Sequence, residues 1–436
     1  MFIAVDDTDS RDGMCTTFLA TELIAEFEDY DLLDHPRLVR LNPNVPWKTR
    51  GNGAIVVTLG KGEKKERKIG EIGEEVSLFE GISKRKEDTF QRVKKVVEEW
   101  SEFDSEKTNP GFVIADKRPP RRFYEKAVRD VVELDEVLDY LDKEELSYKG
   151  YGEKRGLIGA LSALSWTPED RTYELLTYRR KEKWGEHRRI PEEDVIELDQ
   201  TLKKTFDNYD HEEKKQAVAP NSPCPVLYGV RGEDPEELEK ALNIIGGEVP
   251  ERWITFLTNQ GTDDHIQDLS LEEIKPWTSS KITGKVRSES DTIEGGHVFF
   301  EIENKKGKIT AAAYEPTKGF RNVVKNLIQG DKVELWGGIR KDPITLNIEK
   351  MKILQLKNKI VKVSNPKCPE CGRSMSSMGT DAGYRCKNCR TKADEDEAKR
   401  KKVERELNEG WYETPVSARR HLSKPLARLR DNDHSG

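Results

Sequence analysis

The sequence contains no long hydrophobic run, and only 34% of its 436 residues are hydrophobic, against 36% that are charged. A membrane-spanning helix needs about 20 consecutive apolar residues. The chain also enters an acidic motif within its first six residues, without the basic and apolar stretches of a secretory leader. We therefore expect a cytoplasmic protein with no membrane partner, divided into several domains with small cores.

Two common signs of nucleotide binding are also missing. The chain has neither a Walker A motif nor a paired-glycine dinucleotide fingerprint, so any ATP site is of an uncommon type. The formal net charge of −7 argues against a uniformly basic nucleic-acid binder. It is compatible with local basic surfaces, which are what phosphate contacts require.

Cysteine is scarce, and its placement favours a metal site over disulfides. Four of the six cysteines form two CxxC pairs separated by fourteen residues: Cys368, Cys371, Cys386 and Cys389. Four thiolates in this pattern predict a zinc ribbon with a structural, four-coordinate Zn²⁺, although the spacer is one residue below the usual range. Cys15 and Cys224 are far apart in the sequence. A redox dithiol or a disulfide pair is disfavoured in a reducing compartment.

The most informative motif is IAVDDTDSRDGMCTT at residues 3–17. A short apolar strand runs directly into Asp6, Asp7 and Asp9, and clustered carboxylates repel one another unless a cation neutralises them. Mg²⁺ is usually held by one or two carboxylates together with substrate phosphates, so the motif predicts an ATP site. The alternative is an acidic turn in which Asp9 or Ser10 only caps the helix that follows.

A second candidate for nucleotide binding is the stretch WKTRGNGA at residues 47–54. Its lysine and arginine supply cations, and its glycine turn supplies backbone N–H groups for phosphate oxygens. The alternative is a tight turn before a strand at 54–59. The candidate nucleotide-binding residues of the two motifs are Asp7, Thr8, Lys48, Arg50, Gly51, Asn52 and Gly53.

Composition and pattern divide the chain into five parts. The predicted parts are an α/β unit at 1–145, a second α/β unit at 146–265, an OB-fold β-barrel at 278–358, the zinc ribbon at 364–395 and a basic helical segment at 396–436. In the first two parts, the pattern predicts strands at 2–5, 54–59, 225–230 and 253–258, and helices near 15–29, 84–100 and 235–245. The fold class is therefore multidomain α+β.

The barrel prediction rests on five short strands with a helix, FRNVVKNLI, between the third and fourth. That order is typical of an OB-fold, whose strand face and loops bind oligonucleotides. The candidate stacking residues are Phe299, Phe300, Tyr314, Phe320 and Trp336. Half of them are expected inside the barrel, since aromatics of a small barrel are more often core than binding surface.

Charge in the C-terminal part favours contact with an acidic partner. The ribbon surface is cationic, and residues 416–430 mix arginine, serine, histidine and leucine in a pattern typical of a docking segment. Residues 395–408 are equally consistent with a solvated helix face. An OB-fold beside a zinc ribbon makes RNA a better partner than DNA.

Several sequence blocks, distributed in order along almost the whole chain, are specific enough to indicate a family. They are DDTDS with GMCTT, RLNPNVPWKTRGNGA, EKTNPG, RGLIGAL, TFDN, PNSPCPVLYGVRGE, IEGGHVFFEI, the four-cysteine ribbon with RCKNCRTKADE, and SARRHLSKPL. Together they resemble the archaeal tRNA(Ile) 2-agmatinylcytidine synthetases, the TiaS family. The charged stretch at 60–90 carries no such signature.

The resemblance implies a kinase-like first domain, a ferredoxin-like second domain, an OB-fold and a zinc ribbon. It implies an enzyme that uses ATP to ligate agmatine to C2 of the wobble cytidine in the isoleucine tRNA with a CAU anticodon. The reaction passes through a phosphorylated cytidine, and the product decodes AUA. ATP, Mg²⁺ and structural Zn²⁺ are the implied cofactors.

The resemblance also assigns roles to residues. Asp6, Asp7 and Asp9 become catalytic, and Thr16 becomes a phosphate acceptor, although from the residues alone Thr16 is more simply a hydroxyl at a helix N-terminus. Agmatine carries a guanidinium, which a bidentate carboxylate binds best, and Asp207 in TFDN is the candidate.

Two other functions stay open from the residues alone. One is a non-catalytic RNA-binding protein, which the acidic cluster argues against. The other is an ATP-dependent kinase or ligase for a small metabolite, which leaves the C-terminal third of the chain unexplained.

Overall fold

The structure, a computed structural model, describes residues 1–379 and 382–429. Its largest feature is an 11-stranded sheet to which both predicted α/β units contribute. The first unit contains β1 Phe2–Asp6, α1 Thr16–Glu26, β2 Asp31–Leu32, β3 Arg37–Arg40, β4 Gly53–Ile72, β5 Glu74–Ser83, α2 Thr89–Trp100, β6 Gly111–Ala115, α3 Arg122–Arg129 and α4 Leu134–Lys143. β7 Ser147–Gly150 lies just past the predicted boundary at residue 145 and pairs with β6. None of the helices in the described residues is long and apolar enough to cross a membrane.

The second unit continues the same sheet. It contains α5 Gly156–Ser165, β8 Thr172–Tyr178, α6 Glu192–Thr201, β9 Thr205–Phe206, β10 Tyr209–Asp210, β11 Lys215–Gln216, β12 Val226–Gly232, α7 Pro235–Glu239, α8 Ala241–Ile244 and β13 Arg252–Thr258. β10 and β11 form a separate two-stranded sheet, and β14 Ile266–Gln267, which follows the unit, pairs with the barrel described below. The predicted strands and the first two predicted helices are confirmed, whereas the predicted helix at 235–245 is two short helices, α7 and α8.

The sheet order β7-β6-β1-β4-β3-β13-β8-β12-β9 shows how the units join. β13 pairs in parallel with β3 and antiparallel with β4 and β8. The two units that the sequence suggested therefore share one sheet. Residues 60–83 form much of a long hairpin, in which β5 pairs along the far half of β4.

Alternation along β1 places the helices on both faces of this sheet. Ile3 and Val5 pack with α1 and α2 in one buried cluster. Ala4 points to the opposite face and packs with α3, α4 and α5 in another. Since successive strand residues face opposite sides, the apolar run of β1 is buried on both, and Asp6 is the residue at which the strand leaves the core.

Residues 279–355 form a closed five-stranded barrel. Its elements, with one short peripheral strand, are β15 Ser279–Val286, β16 Asp291–Thr292, β17 Val298–Asn304, β18 Gly307–Ala313, α9 Phe320–Lys325, β19 Lys332–Arg340 and β20 Thr345–Gln355. β15 pairs with both β17 and β19, and a parallel pairing of β18 with β20 completes the ring. The five predicted strands and the intervening helix are confirmed.

The barrel aromatics divide as expected. Phe300 and Phe320 are buried in the barrel core, while Phe299 and Tyr314 are half-buried outside it. Trp336 is 8% exposed and packs against Trp411, with ring centroids 4.7 Å apart. Of the five candidate stacking residues, Phe299 and Tyr314 therefore keep substantial exposed surface.

The predicted helical segment at 396–436 is wrong for the residues that the structure describes, and residues 430–436 lie outside them. The elements after the barrel are β21 Lys359–Ser364, β22 Ser376–Ser377, β23 Tyr384–Arg385, β24 Lys392–Ala393, β25 Lys399–Val403 and β26 Gly410–Glu413. β25 pairs with β21, and β26 extends the barrel sheet beside β20. Charged residues with good helix propensity thus form strands, because tertiary pairing overrides a weak local preference.

Beyond β26 the described chain contains only short 3-10 turns. These turns, at Val416–Ala418 and Leu426–Arg428, follow Pro415 and Pro425. Proline lacks a backbone N–H and fixes φ, which opposes a continuous helix through this segment.

Candidate functional site

The three carboxylates of DDTDS lie where β1 ends, and the structure holds each of them differently. Asp7 has a φ of +58°, unusual for a non-glycine residue, and its Oδ2 accepts a hydrogen bond from the backbone N–H of Asn109 at 3.1 Å. Asp9 accepts one from Nε of Arg50 at 2.9 Å. Asp6 lies against α5, where a Cβ on Gly159 would be 1.7 Å from its Oδ2. Glycine at 159 therefore leaves the space that the Asp6 carboxylate occupies.

Burial disfavours the ionised forms of all three carboxyls in this cluster. Burial and the neighbouring charge of Asp7 raise the pKa of Asp6 well above its ordinary value. Burial also raises the pKa of Asp7 to about 6, and it raises the pKa of Asp9 in spite of the adjacent Arg50. A divalent cation would favour the ionised forms. The donor set, carboxylate oxygens beside a water-accessible cavity, suits Mg²⁺.

The start of α1 is the second part of the site. Cys15 is the N-cap residue and makes no side-chain capping hydrogen bond. Ser10 instead accepts from the backbone N–H groups of Asp12 and Gly13. The alternative in which Asp9 or Ser10 caps this helix is therefore wrong. An uncapped helix N-terminus offers backbone N–H groups and a partial positive charge to a phosphate.

Thr16 begins α1 and lines the cavity described below. Its Oγ1 accepts a hydrogen bond from the hydroxyl of Thr8 at 3.1 Å. The side chain of Thr8 is fully buried and does not line the cavity. Thr8 therefore contacts Thr16 instead of the cavity, and its hydrogen bond orients the hydroxyl of Thr16.

The WKTRGNGA stretch forms a loop across the same cavity and is more than a turn before β4. Arg50 joins this loop to two others, since it donates to Asp9 and to the carbonyl of Met14 in the loop after β1 and, at 3.0 Å, to Oγ of Ser222 in the loop before β12. The ammonium of Lys48 donates to the carbonyl of Pro43. Burial, aided by Arg420, lowers the pKa of Lys48 to about 8.

The glycine turn of this loop permits a close approach that a side chain would block. A Cβ on Gly51 would lie 2.5 Å from Nη1 of Arg40 and 3.2 Å from the ring of His421. Arg40 and His421 can therefore pack directly against the loop backbone.

One cavity of about 510 Å³ brings together ten of the eleven residues predicted for catalysis, nucleotide binding and agmatine binding. Of the predicted set, its wall contains Asp6, Asp7, Asp9, Thr16, Lys48, Arg50, Gly51, Asn52, Gly53 and Asp207. Thr8 and the four ribbon cysteines are outside this wall. Residues that are distant in sequence thus meet at one place, as expected of a site assembled by the fold.

Asp207 lies in the cavity wall beside a partner that the sequence did not indicate. It forms an ion pair with Arg419, which also lies 2.7 Å from Glu413. Burial raises the pKa of Asp207, more than the guanidinium of Arg419 lowers it. A guanidinium from the C-terminal segment therefore already occupies the carboxylate that we associated with agmatine.

The C-terminal segment returns to the first two units and closes one side of the cavity. Val416, Ser417, Arg419 and His421 line it, and Arg420 lies 3.1 Å from Glu349. Although burial opposes ionisation, the neighbouring His265 and Arg420 lower the pKa of Glu349 to about 2.

These contacts change the interpretation of the basic segment. Its arginines pair with carboxylates of the protein itself, namely Asp207, Glu413, Glu349, Asp170 and Glu233. The acidic partner of residues 416–428 in this structure is therefore the rest of the chain.

Several wall residues were missed when the sequence was considered alone. Glu174 is 3% exposed and accepts hydrogen bonds from Arg231 at 3.0 Å and from Gln260 at 2.5 Å. Arg155 lines the cavity from the start of α5. Arg155 and Arg231 lie in the blocks RGLIGAL and PNSPCPVLYGVRGE, so membership of those blocks was the available signal.

The zinc-ribbon residues form a compact cluster of their own. The Sγ atoms of the four cysteines all lie within 4.8 Å of one another. In each CxxC turn, a backbone N–H donates a hydrogen bond to the carbonyl of the first cysteine. The N–H of Gly372 donates to Cys368 at 2.8 Å, and the N–H of Arg390 donates to Cys386 at 3.0 Å. This arrangement suits tetrahedral coordination of Zn²⁺ by four thiolates.

Comparison with known families matches three segments of the chain. The matching family models are described as the TiaS TCKD domain, over residues 2–153, the TiaS FLD domain, over residues 154–265, and the TiaS C-terminal zinc ribbon domain, over residues 365–407. The boundary between the first two models falls between β7 and α5.

Curated relatives match along nearly the whole chain. The isoleucine-tRNA 2-agmatinylcytidine synthetase TiaS of Methanocaldococcus jannaschii is 44% identical, with 98% of this chain and 98% of that protein covered. The protein of the same name from Archaeoglobus fulgidus is 43% identical, with 98% and 97% covered.

Solved structures match to a similar extent. A complex of TiaS with its isoleucine tRNA and ATP is similar with a TM-score of 0.85 and 42% identity. A complex of TiaS with the same tRNA, AMPCPP and agmatine is similar with a TM-score of 0.82 and 39% identity. In both comparisons 98% of this chain and 97% of the other chain are covered.

Proposed function

The chain belongs to the TiaS family, and on that premise we propose that it ligates agmatine to C2 of the wobble cytidine in the isoleucine tRNA with a CAU anticodon, at the expense of ATP. One observation carries the proposal: the DDTDS carboxylates, the uncapped start of α1 and the WKTRGNG loop converge on one cavity. The enzyme is an ATP-dependent C–N ligase of tRNA whose product decodes AUA. It acts in the cytoplasm.

We assign the parts of the chain accordingly. Residues 1–145 act as a kinase-like domain and residues 146–265 as a ferredoxin-like domain, within their common sheet. The barrel at 278–358 is an OB-fold, and it holds the tRNA together with the ribbon at 364–395. The exposed strands β21 and β25, with sequences KIVKVS and KRKKV, add cations for phosphate contacts.

The chemistry requires activation of the base. Cytosine O2 is a poor leaving group, so transfer of the γ-phosphoryl group of ATP to that oxygen comes first. The primary amine of agmatine then attacks C2, the C2–O2 bond breaks and inorganic phosphate leaves. Phosphoryl transfer depends mostly on positioning and on charge neutralisation, which is what clustered carboxylates, cations and backbone N–H groups provide.

We assign Mg²⁺ binding to the acidic cluster and nucleotide binding to the elements around it. Asp6 and Asp7 are the carboxylates without an arginine partner among the described ion pairs, whereas Asp9 is bound to Arg50. A bound Mg²⁺ would neutralise charge on the phosphates. Lys48 and the turn at 51–53 line the cavity and would contact the phosphates, while Thr8 acts through Thr16.

We assign Thr16 as a phosphate acceptor that takes the γ-phosphoryl group from ATP, releasing ADP, and passes it on to O2 of the cytidine, which frees the Thr16 hydroxyl again. Its hydroxyl lines the cavity at the N-terminus of α1 and is oriented by Thr8. A phosphate attached there would lie within the favourable field of the helix N-terminus.

We assign the guanidinium of agmatine to Asp207. The side chain lies in the cavity wall, and the ion pair with Arg419 indicates that its surroundings accommodate a planar guanidinium. Agmatine binding at this carboxylate requires Arg419 to move or to share it with the ligand.

The test of the function is the mass of the wobble nucleoside after incubation of the CAU tRNA with enzyme, ATP and agmatine. We expect a gain equal to the mass of agmatine less one water, and no gain in a tRNA that carries uridine at the wobble position. Thr16→Ala should abolish the product, while Thr16→Ser, which keeps a hydroxyl, should retain it. An unchanged nucleoside with the wild-type enzyme would refute the function.

For agmatine recognition, Asp207→Asn is expected to raise the KM for agmatine by about 10-fold or more, because it removes a charge-assisted hydrogen bond. The KM for ATP should not change. Glu213→Gln, an exposed carboxylate after β10, is the matched control.

The variant Arg419→Ala tests whether Arg419 and agmatine compete for the carboxylate of Asp207. If agmatine takes Asp207, this variant should not raise the KM for agmatine. If Asp207 only anchors the C-terminal segment, Asp207→Asn and Arg419→Ala should destabilise the fold to a similar extent and leave the KM for agmatine the same in the folded fraction.

A further inference from the structure

Trp47, in the wall of the cavity, packs edge-to-face against Trp277, which lies just outside that wall. Trp47 lines the cavity and is 40% exposed. Its ring centroid lies 5.7 Å from that of Trp277, at an angle of 66° between the planes. Each ring also carries a cation, the guanidinium of Arg155 at 4.4 Å from the centroid of Trp47 and the ammonium of Lys341 at 5.3 Å from that of Trp277. Aromatic surface and positive charge thus meet at the entrance.

The backbone of Trp277 is held in a conformation that a bulky residue rarely adopts. Its φ is +67°, which is unfavourable for such a side chain. Its N–H donates to the carbonyl of Ile339 at 2.8 Å, and its carbonyl accepts from Nδ2 of Asn42 at 2.9 Å. Strained conformations persist where the surrounding contacts impose them, and they cluster at ligand-binding sites.

Asn44 reinforces this arrangement from the same loop as Trp47. Its Nδ2 donates to the carbonyl of Thr278 at 3.0 Å and to Oγ of Ser279 at 2.8 Å. The loop at 42–52 therefore carries one tryptophan and fixes the position of the other. The relative position of the two rings is therefore fixed by the loop, which contains Trp47 and hydrogen-bonds the backbone of Trp277 and Thr278.

The rim is adjacent to the reacting groups. Arg155, which covers Trp47, lines the same cavity as Asp7 and Asp9. A ligand on Trp47 would therefore continue into the part of the cavity that contains the acidic cluster.

We propose that Trp47 and Trp277 form a stacking site for an unpaired base of the tRNA next to the wobble cytidine. This inference rests on the proposed function. Extraction of a base from its stack costs free energy, and aromatic side chains recover part of it because every base has a π-face. Arg155 and Lys341 supply charge for the phosphates that flank such a base.

The adenine of ATP has the same stacking chemistry, and the position of the pair favours the tRNA. Trp277 lies two residues before the start of β15, and Lys341 lies between β19 and β20, so half of the site is next to the barrel that we assign to tRNA binding. The elements that we assign to the ATP phosphates, the start of α1 and Lys48, belong to the first unit.

The test is Trp47→Ala in the full-length protein, with KM measured separately for tRNA and for ATP. We expect the KM for tRNA to rise about 10-fold, as for loss of one stacked base, and the KM for ATP to stay the same. Trp47→Phe should retain most of the tRNA affinity. The matched control is Phe103→Ala, because Phe103 is 45% exposed and packs edge-on against Tyr151 at 5.3 Å, outside the cavity wall.

A second measurement places the base. Anticodon stem-loops with 2-aminopurine on either side of the wobble cytidine should be less fluorescent with the wild type than with Trp47→Ala, at one of the two positions, because indole stacking quenches the fluorophore. The inference would be overturned if the wild type and Trp47→Ala gave the same fluorescence at both positions. It would also be overturned if Trp47→Ala raised only the KM for ATP. If the wild type leaves the tRNA unmodified, the proposed function itself fails.

Discussion

Asp7→Asn is expected to lower ATP turnover by about 100-fold or more, while the fold and the tRNA affinity stay the same. The substitution removes one ionised oxygen ligand at nearly constant volume, and losses of this size are typical when a group that stabilises developing charge is deleted. Asp7 is the informative position because its Oδ2 is fixed by the backbone of Asn109 and it forms no ion pair among the described residues, whereas Asp9 is paired with Arg50.

The measurement is ATP consumption with saturating tRNA and agmatine, beside tRNA binding. Asp12→Asn, an exposed carboxylate in the same loop, should behave as the wild type. In the wild type the pKa of Asp7, about 6, implies that protons compete with Mg²⁺, so Mg²⁺-dependent ATP affinity should fall as the solution is acidified through that pKa. Full turnover in Asp7→Asn would remove this carboxylate from the metal site.

Cys371→Ser is expected to release the zinc, from about one ion per chain to nearly none, and to unfold the ribbon locally. The binding free energy of a four-thiolate site, about 10–16 kcal/mol in zinc-finger peptides, is part of the folding free energy of such a small unit. In this chain the described ribbon has only three two-residue strands and a small buried cluster, so the metal is its main support.

Measurements of zinc content, tRNA binding and ATP binding distinguish a structural role of the metal from a role in the ATP site. ATP affinity should survive in Cys371→Ser, because the ribbon cysteines lie outside the cavity wall, while tRNA affinity should fall. Cys224→Ser, a cysteine outside the ribbon, should keep the zinc. Retention of zinc by Cys371→Ser, or loss of ATP binding in an otherwise folded chain, would contradict the structural role of the metal.

Local patterns were sufficient for much of the architecture. The strand 2–5, the five barrel strands and the CxxC pairs were predicted correctly because each depends on short-range alternation or spacing, which the sequence contains directly. The same holds for the grouping of Asp6, Asp7 and Asp9, since they follow one strand within four residues. For the WKTRGNGA loop the residues alone left a simple turn equally open.

What the sequence alone determined was therefore the chemistry of each motif and the family to which the motifs point. Only the tertiary structure decided which distant groups meet. β13 joins both units in one sheet, KRKKV forms a strand because β21 offers it a partner, and Arg419 reaches Asp207 across more than two hundred residues. Such contacts depend on strand pairing between distant segments and on the burial of oppositely charged side chains next to each other. No local pattern of residues specifies the free energies of these interactions.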